Sequence, residues 1–372
     1  MRRCSIEDML ERDYFLPFSV FPGIGHVRFK KLLDFFGSAK NIWEASDVQV
    51  VESGLGKSLS KQFVGFRESF SIDTFKKKLD SEKIDFVVSL DKDYPKSLKD
   101  LSDFPFLFYI KGNRKLLSKN FPKISVVGTR MITQYGRDVT TFFCREFSRN
   151  GVVIVSGLAL GVDAISHEVA LSEEAYTIAV LGSGIDECYP RSNQPLYREI
   201  LLGKGLILSE YPPGMPPSKG SFPSRNRLIA AISESVLVTE GGEDSGSIIT
   251  AHLGMALSRK VYAVPGPITS NLSKGPFTLV REGAKLVTDP QEVLKEFQIT
   301  NVKFPISNKK TIRGDTREEQ KIINLLQNES LSFDEIVRNG DFEPSVLGSV
   351  LSMLEIKGVI SQAGSGKYQL VS

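Results

Sequence analysis

The feature that most constrains the fold is a series of six short apolar runs, rich in β-branched residues, in the middle of the chain. Their first residues are separated by 28, 25, 28, 30 and 26 residues, and amphipathic helical patterns fill the intervals. The runs are residues 124–127, 152–155, 177–181, 205–209, 235–239 and 261–264. Apolar strands that alternate with helices are typical of a parallel sheet covered on both faces. Right-handed crossovers then predict an α/β fold with a Rossmann-like, doubly wound parallel sheet.

Two Gly-x-Gly turns, at residues 23–25 and 54–56, interrupt helical patterns in the first 80 residues. Each turn precedes a helix that carries Lys or Arg, which is typical of helix-hairpin-helix or SAM-like units that present backbone N–H groups to a phosphate. The alternative is a pair of ordinary helix breaks in a small helical bundle. Residues 85–89 and 106–111 then predict two edge strands ahead of the main sheet.

The last part of the chain predicts a winged helix, because three helical patterns are followed by a glycine-tipped hairpin. Within it, five basic and eight acidic residues give a net charge of −3, and only Lys357 lies near the end of the third helix. Neutralising DNA phosphates needs more cations than that, so duplex recognition by this part is disfavoured. The predicted domains are a helical domain at 1–80, an extended Rossmann-like domain at 81–297, a basic linker at 298–315 and the winged helix at 316–372.

Composition excludes several classes of protein. Hydrophobic residues make up 41% of the chain and charged residues 24%, close to the globular average, so a long disordered or fibrous chain is excluded. The three cysteines lie far apart and predict neither a disulfide framework nor a cysteine-rich metal site. No apolar run of about 18 residues is present, so no membrane span is expected. We expect a reduced, cytoplasmic protein.

Glycine and other small residues follow almost every predicted strand of the parallel sheet. Ligands of such sheets bind beyond the carboxyl ends of the strands, and small residues let backbone amides approach an anion closely. We therefore predict anion or phosphate binding at this edge, with tight turns alone as the alternative. The candidate residues in these loops are Gly128, Thr129, Arg130, Gly157, Ser245, Gly246 and Ser247.

The same loops predict neither a nucleotide cofactor nor catalysis. After Gly182 and Gly184, Glu187 stands where the dinucleotide fingerprint needs a third glycine, and no phosphate-loop ATPase motif occurs. The three histidines lie in separate regions and are expected to be structural. We therefore expect no cofactor, no metal and no catalytic residue.

Basic residues and a phenylalanine near this edge favour single-stranded nucleic acid as the anion. Residues 111–130 hold six basic residues and no acid, and Lys219, Arg225 and Arg227 surround Phe222. A cationic groove with an exposed ring binds a single strand, because charge follows the backbone while the ring stacks on a base. The alternatives are that Phe222 is a buried loop anchor and that the two arginines form salt bridges at the start of a helix.

In this order, the loop motifs resemble the DNA-processing protein A family, also called DprA or Smf. The resemblance is closest over residues 110–290 and extends to both flanking domains. The chain departs from the family at 273–277, Ser-Lys-Gly-Pro-Phe, where the family has a polar residue soon after the glycine. The matching segments are Val-Gly-Thr-Arg at 127–130, Ser-Gly-Leu-Ala at 156–159, Leu-Gly-Ser-Gly at 181–184, Tyr-Pro at 189–190, Phe-Pro-Ser-Arg-Asn-Arg at 222–227, Ser-Gly-Ser at 245–247 and Val-Pro-Gly at 264–266.

The resemblance implies a protein without enzymatic activity that binds single-stranded DNA and loads the RecA recombinase onto it. In naturally competent bacteria this protects and processes incoming DNA during transformation. The resemblance also implies a homodimer formed through the Rossmann-like domain. Family contacts with DNA fall on the turn from Gly128 to Arg130 and on Lys219 and Phe222, which the charge pattern selects as well. The candidate set is completed by Arg225, Asn226 and Arg227, which begin the helix after Phe222.

The alternative function is enzymatic, a nucleotide N-glycosidase of the lysine-decarboxylase-like phosphoribohydrolase type. Such enzymes have a related sheet and a Pro-Gly-Gly-x-Gly-Thr-x-x-Glu loop. Gly246 and Ser247 align with the Gly-Thr of that loop, which places Thr250 where the catalytic Glu would stand. Because a threonine cannot act as the carboxylate, the binding function is preferred.

Overall fold

The computed structural model describes residues 9–203, 205–297, 314–326, 330–363 and 366–370. The chain divides into two compact units, Met1–Phe304 and Pro305–Ser372. The predicted finer division at residues 80, 298 and 316 stays a prediction. Across the described residues, no helix is both long enough and apolar enough to cross a membrane.

From Leu16 onward, six α-helices of the described residues enclose a cluster of aromatic side chains. Phe15, Phe18, Phe29 and Phe63 are fully buried, and the Phe29 ring lies 4.2 Å from the Phe106 ring just before the sheet. Both Gly-x-Gly turns contain left-handed backbone that favours glycine; their contact with a phosphate stays a prediction. The helices are α1 (Leu16–Val20), α2 (His26–Phe36), α3 (Ala39–Glu44), α4 (Asp47–Val50), α5 (Lys57–Ser69) and α6 (Ile72–Ser81).

A nine-stranded sheet organises the rest of this unit, in the spatial order β1-β2-β6-β5-β4-β3-β7-β8-β9. Strands β3 to β9 run parallel to one another, whereas β1 and β2 extend the β6 edge in antiparallel register. The strands are β1 (Asp85–Val88), β2 (Leu107–Gly112), β3 (Lys123–Val127), β4 (Val153–Ser156), β5 (Thr177–Leu181), β6 (Leu206–Ser209), β7 (Ser235–Val238), β8 (Lys260–Ala263) and β9 (Lys285–Leu286).

This strand order confirms the predicted doubly wound, Rossmann-like sheet. The parallel part of the sheet starts at the central β3, and the chain then winds outward through β4, β5 and β6. It returns to place β7 and β8 on the other side of β3. All eight predicted strands are present, with limits that differ by at most one residue. Strand β9 was not predicted, because two exposed residues, Lys285 and Leu286, carry no apolar run.

Helices cover both faces of the sheet, which explains why its strands are apolar throughout. Alternate strand residues point to opposite faces. Ile124 and Val126 pack in one cluster with Phe143, whereas Val127 packs in another with Leu228. The helices are α7 (Gln134–Arg149), α8 (Val162–Ser172), α9 (Gln194–Leu202), α10 (Ser221–Ile232), α11 (Gly246–Ala256), α12 (Lys274–Arg281) and α13 (Pro290–Leu294).

The second unit has the predicted three helices followed by a hairpin, with Leu347, Leu351 and Leu354 in its core. The Lys357 ammonium lies 2.6 Å from carboxylate oxygens of both Asp315 and Glu319. The cation that the sequence places near the end of the third helix is therefore already paired. The elements are α14 (Arg317–Leu325), β10 (Leu331–Ser332), α15 (Phe333–Gly340), α16 (Pro344–Ile356), β11 (Ile360–Ala363) and β12 (Lys367–Leu370).

The predicted basic cluster at residues 111–130 does not lie at one edge of the sheet. Lys123 is the first residue of β3, and the end of β2 pairs with the start of β6, so both lie at the amino ends of the parallel strands. Arg114, beside the end of β2, pairs with Asp85 and Asp93. The prediction that these residues join the loop edge was wrong, because residues before a strand lie at the edge opposite to residues after it. Of the six basic residues in this segment, only Arg130 lies after β3, at the carboxyl edge of the sheet.

Lys123 is a buried lysine at this opposite edge, with only 5% of its surface exposed. Its ammonium donates hydrogen bonds to the carbonyl oxygens of Ser118 and Phe121, at 2.7 and 2.8 Å. Burial lowers the pKa of Lys123 to about 8, against the opposing attraction of Glu234. The Lys123 amine therefore loses its proton more readily in the folded protein than it would in water.

The pH dependence of stability should reveal this lysine. Between pH 8 and the ordinary lysine pKa of 10.5, the unfolded chain keeps a proton that the folded protein has lost, so stability rises with pH. Lys123→Met removes the titrating group, so its unfolding free energy should lack this rise with pH. Across this window we therefore expect wild type to gain up to about 3 kcal/mol of unfolding free energy relative to Lys123→Met. Urea titrations at a series of pH values measure it. Parallel pH profiles for the two proteins would contradict the assignment.

Candidate nucleic-acid interface

A cleft of about 820 Å³ opens at the carboxyl ends of the parallel strands. The loops after β3 and β7 form its centre, at the point where the winding of the sheet reverses. Ligands of doubly wound sheets bind at such a reversal. Gly157 and Arg227 are the two candidates that do not line the cleft. The candidates that do are Gly128, Thr129, Arg130, Lys219, Phe222, Arg225, Asn226, Ser245, Gly246 and Ser247.

The turn after β3 is packed tightly against the end of β7. A β carbon at Gly128 would lie 2.7 Å from the carbonyl oxygen of Glu240, and the Thr129 N–H donates to that oxygen at 2.7 Å. Glycine at position 128 therefore serves close packing, and the Thr129 amide is already hydrogen-bonded. The residue of this turn that reaches the open cleft is Arg130, which is exposed.

Arg130 holds a positive charge at the centre of the cleft. Its guanidinium carbon lies 5.5 Å from the centroid of the Phe222 ring, a distance at which the ring attracts a cation. No described carboxylate forms an ion pair with Arg130, so its hydrogen-bond donors remain available to an anion.

Phe222 lies in the first turn of α10 and is half-buried. Its ring packs over Gly182, at the end of β5, and its centroid lies 5.4 Å from that of Tyr189. Tyr189 is 47% exposed and also lines the cleft. The sequence contained Tyr189 within a family motif, but no role was predicted for it. Together the two rings form an aromatic wall, so Phe222 is neither fully exposed nor a fully buried anchor.

Arg225 lies beneath the cleft and is only 4% exposed. Its guanidinium donates to the carbonyl oxygens of Gly157, at 2.7 Å, and Val180. Burial lowers the pKa of Arg225 to about 10, although the nearby Asp163 carboxylate acts in the opposite direction. A β carbon at Gly157 would lie within 2.6 Å of the same guanidinium. Arg225 therefore lines the bottom of the cleft, and Gly157 packs against its guanidinium without lining the cleft itself. We assign both residues a positioning role rather than contact with a strand.

Arg227 does not line the cleft and pairs with two acidic side chains. Its guanidinium donates to both carboxylate oxygens of Glu210, at 2.6 and 2.8 Å, and lies 3.2 Å from Asp103. Of the two interpretations of Arg227, the geometry supports a salt bridge at the start of α10. We therefore expect Arg227 to stabilise the start of α10 rather than to bind an anion.

The loop after β7 presents hydroxyl groups that are mutually hydrogen-bonded. Ser245 caps α11 by accepting from the Ser247 N–H, and the two hydroxyl oxygens lie 2.8 Å apart. The Asn226 amide donates to the carbonyl oxygen of Gly246 at 3.2 Å, which ties α10 to the start of α11. These serines and Asn226 give the cleft a polar lining in addition to the aromatic wall.

The cleft also contains charged residues that were not predicted. Lys274 is exposed and lines the cleft with Asn271, in the segment after β8. The predicted contact Lys219 is also exposed and lines the cleft, but it follows β6, which lies on the other side of β3 from β8. Two acids of the loop after β7, Glu243 and Asp244, line the cleft as well. Sequence reasoning missed Lys274 because it lies beyond the last strand–loop motif, although a lysine soon after Pro-Gly-Pro was a visible signal.

The geometry does not favour the glycosidase alternative. At the position where that enzyme class has its glutamate, Thr250 is buried and its hydroxyl donates to the Gly246 carbonyl oxygen at 3.2 Å. His167 is fully buried, 2.6 Å from the Thr177 hydroxyl, and burial lowers its pKa to about 3. Among the described residues, no group of three or more His, Cys, Asp or Glu side chains is placed to hold a metal ion.

Comparison with known proteins gives relatives across most of the chain. Protein Smf of Synechocystis is 30% identical over 393 residues, covering 96% of this chain and 98% of that protein. DNA processing protein DprA of Streptococcus pneumoniae is 42% identical over 229 residues, covering 62% of this chain and 80% of that protein.

Two solved structures have the same fold. DNA processing protein A from Streptococcus pneumoniae matches with a TM-score of 0.68 and 35% identity, covering 77% of this chain and 99% of that one. DNA processing protein A from Helicobacter pylori, studied for its single-stranded DNA binding mode, matches with a TM-score of 0.52 and 34% identity, covering 57% of this chain and 94% of that one.

Family models match both parts of the molecule. Residues 308–366 match the DprA winged helix domain, in agreement with the predicted winged helix. Residues 85–298, which include the whole sheet and the cleft, match DNA recombination-mediator protein A. The chain therefore belongs to the DNA recombination-mediator protein A family, known as DprA or Smf.

Proposed function

We propose that this protein binds single-stranded DNA in the cleft and loads a RecA-type recombinase onto the strand. The observation that carries the proposal is the Arg130 guanidinium, with which no carboxylate of the described residues pairs, beside the half-buried ring of Phe222 at the winding reversal of the sheet. The guanidinium carbon lies 5.5 Å from the centroid of that ring. A guanidinium binds phosphate through two parallel hydrogen bonds, and a ring stacks on an unpaired base. One nucleotide can satisfy both groups.

The aromatic wall favours single strands over duplexes. Phe222 and Tyr189 offer ring surface inside a cleft, whereas the bases of a duplex are already stacked on one another. Stacking on such rings does not depend on base identity, because every base has a π face. The single-stranded DNA binding of the Helicobacter pylori relative supports the same conclusion.

Recombinase loading, a role in natural transformation and the homodimer rest on family membership. The family's description as a recombination mediator supports the first of these. We propose a binding protein rather than an enzyme, because Thr250 replaces the carboxylate that the related glycosidase chemistry needs. The paired Lys357 in the second unit supports placing the DNA contacts in the first unit.

Arg130→Ala should weaken single-strand binding by about 1.5–3 kcal/mol, the value of a hydrogen bond to a charged group. The fold should persist, because Arg130 is exposed and lies at the end of a loop. Fluorescence anisotropy with a labelled oligonucleotide at fixed salt measures the affinity. Arg137→Ala is the matched control, since Arg137 is exposed on α7 and does not line the cleft. A folded Arg130→Ala protein with unchanged affinity would remove this residue from the interface.

Lys219 and Phe222 should differ in how salt affects their contributions. Lys219→Ala removes one phosphate contact and should flatten the plot of log affinity against log salt by about 0.7. Phe222→Ala removes stacking worth about 1–3 kcal/mol and should lower that plot without changing its slope. Salt titrations of the variants and wild type test this. If Phe222→Ala instead loses much thermal stability and Lys219→Ala keeps the wild-type slope, the division between stacking and charge is wrong.

The loading step needs a separate test. Strands already coated with single-strand-binding protein should acquire RecA filaments faster when wild-type protein is added, as followed by recombinase ATP hydrolysis. Arg130→Ala should lose this stimulation in proportion to its loss of affinity. A protein that binds single strands tightly but does not accelerate filament formation would refute the mediator role and leave the binding function intact.

A further inference from the structure

We infer that Lys274 forms a second phosphate subsite at the far end of the cleft, so that a bound strand crosses the sheet edge from the aromatic wall to α12. This inference rests on the proposed binding of single-stranded DNA and specifies the path of that strand. It concerns the segment at 273–277, where the chain departs from the family pattern.

The cleft extends continuously across five neighbouring strands. Tyr189 follows β5, Arg130 follows β3 and Lys274 follows β8, and all three line the same cleft. Four strand-to-strand steps separate β5 from β8, which is about 19 Å at a spacing of about 4.8 Å. One nucleotide at Arg130 and Phe222 occupies only part of that length, so the adjoining nucleotides of the strand continue along the cleft.

The backbone holds Lys274 firmly at this end. The Gly241 N–H donates to the Leu272 carbonyl oxygen at 2.7 Å, and the Gly275 N–H donates to the Gly241 carbonyl oxygen at 3.0 Å. A β carbon at Gly275 would lie 2.5 Å from that Gly241 oxygen, so only glycine permits the contact. These bonds fasten the start of α12 to the loop after β7 and place Lys274 at the rim.

The charge of Lys274 is available to a ligand. Its side chain is exposed, and within the described ranges no carboxylate forms an ion pair with it. Glu243 lies near Thr278, whose hydroxyl donates to its carboxylate at 3.3 Å, and Asp244 lines the cleft beside it. These acids repel phosphate, so the cations at the two ends and at Arg130 determine where the backbone of the strand runs.

The test measures salt dependence with an oligo-thymidylate of about 16 nucleotides, near the upper length that a single binding groove holds. Lys274→Gln should flatten the plot of log affinity against log salt by about 0.7, the effect of one phosphate contact on a single strand. Lys274→Arg should keep the wild-type slope. Lys119→Gln is the matched control, because Lys119 is exposed but precedes β3 and therefore lies at the opposite edge of the sheet.

Lys274 could affect salt dependence either by contacting a phosphate or by neutralising the nearby acids Glu243 and Asp244. A variant without these two acidic charges distinguishes the two effects. In a Glu243→Gln/Asp244→Asn protein, Lys274→Gln should still flatten the slope by the same amount. If the effect disappears in that background, Lys274 only offsets the acids and the subsite is refuted. An unchanged slope for Lys274→Gln, in a protein where Arg130→Ala still weakens binding, overturns this inference alone. If wild-type protein does not bind the oligonucleotide, the proposed function itself fails.

Discussion

The cleft depends on one buried charge. The Arg225 guanidinium joins the carbonyl oxygens of Gly157 and Val180 beneath the loops, and Asp163 balances its charge. The Asp163 carboxylate in turn accepts from the Gly157 N–H at 3.1 Å. Replacing Arg225 would leave these two carbonyl oxygens without their donor, at a cost of about 1–3 kcal/mol for each buried group that stays unsatisfied. Since Phe222 lies one helical turn before Arg225, the same arginine also fixes the position of the stacking ring.

The sheet and its loops could be predicted from the sequence because both depend on local patterns. Each buried strand is a short apolar run, and most loops at the carboxyl edge begin with small residues next to that run. Gly128 shows the limit of the argument. The sequence places Gly128 directly after β3, but the contacts that require a glycine there are with Val162 of α8 and with Glu240 in the loop after β7. Both partners are distant in the chain, so a local pattern does not reveal them.

The roles of individual charges were much harder to predict. Arg225 and Arg227 are two residues apart, yet one lies at the bottom of the cleft and the other pairs with Glu210. The partner of each arginine is set by tertiary packing, so their sequence context does not distinguish them. Tyr189 and Lys274 were missed for the same reason, because each meets the cleft only when loops from different strands converge. The lysines before β3 were assigned to the wrong edge through their nearness in sequence to Arg130.

The loops after β3 and β7 and the start of α12 are joined by main-chain hydrogen bonds, between Thr129 and Glu240 and between Gly241 and Gly275. Every residue type except proline carries the same main-chain N–H and carbonyl groups, so these joints are insensitive to most substitutions of the side chains that project into the cleft. Lys274 and Arg130 can therefore be exchanged during evolution without rebuilding the scaffold. Homologous proteins could in this way diversify their ligand preference one surface residue at a time while the architecture stays constant.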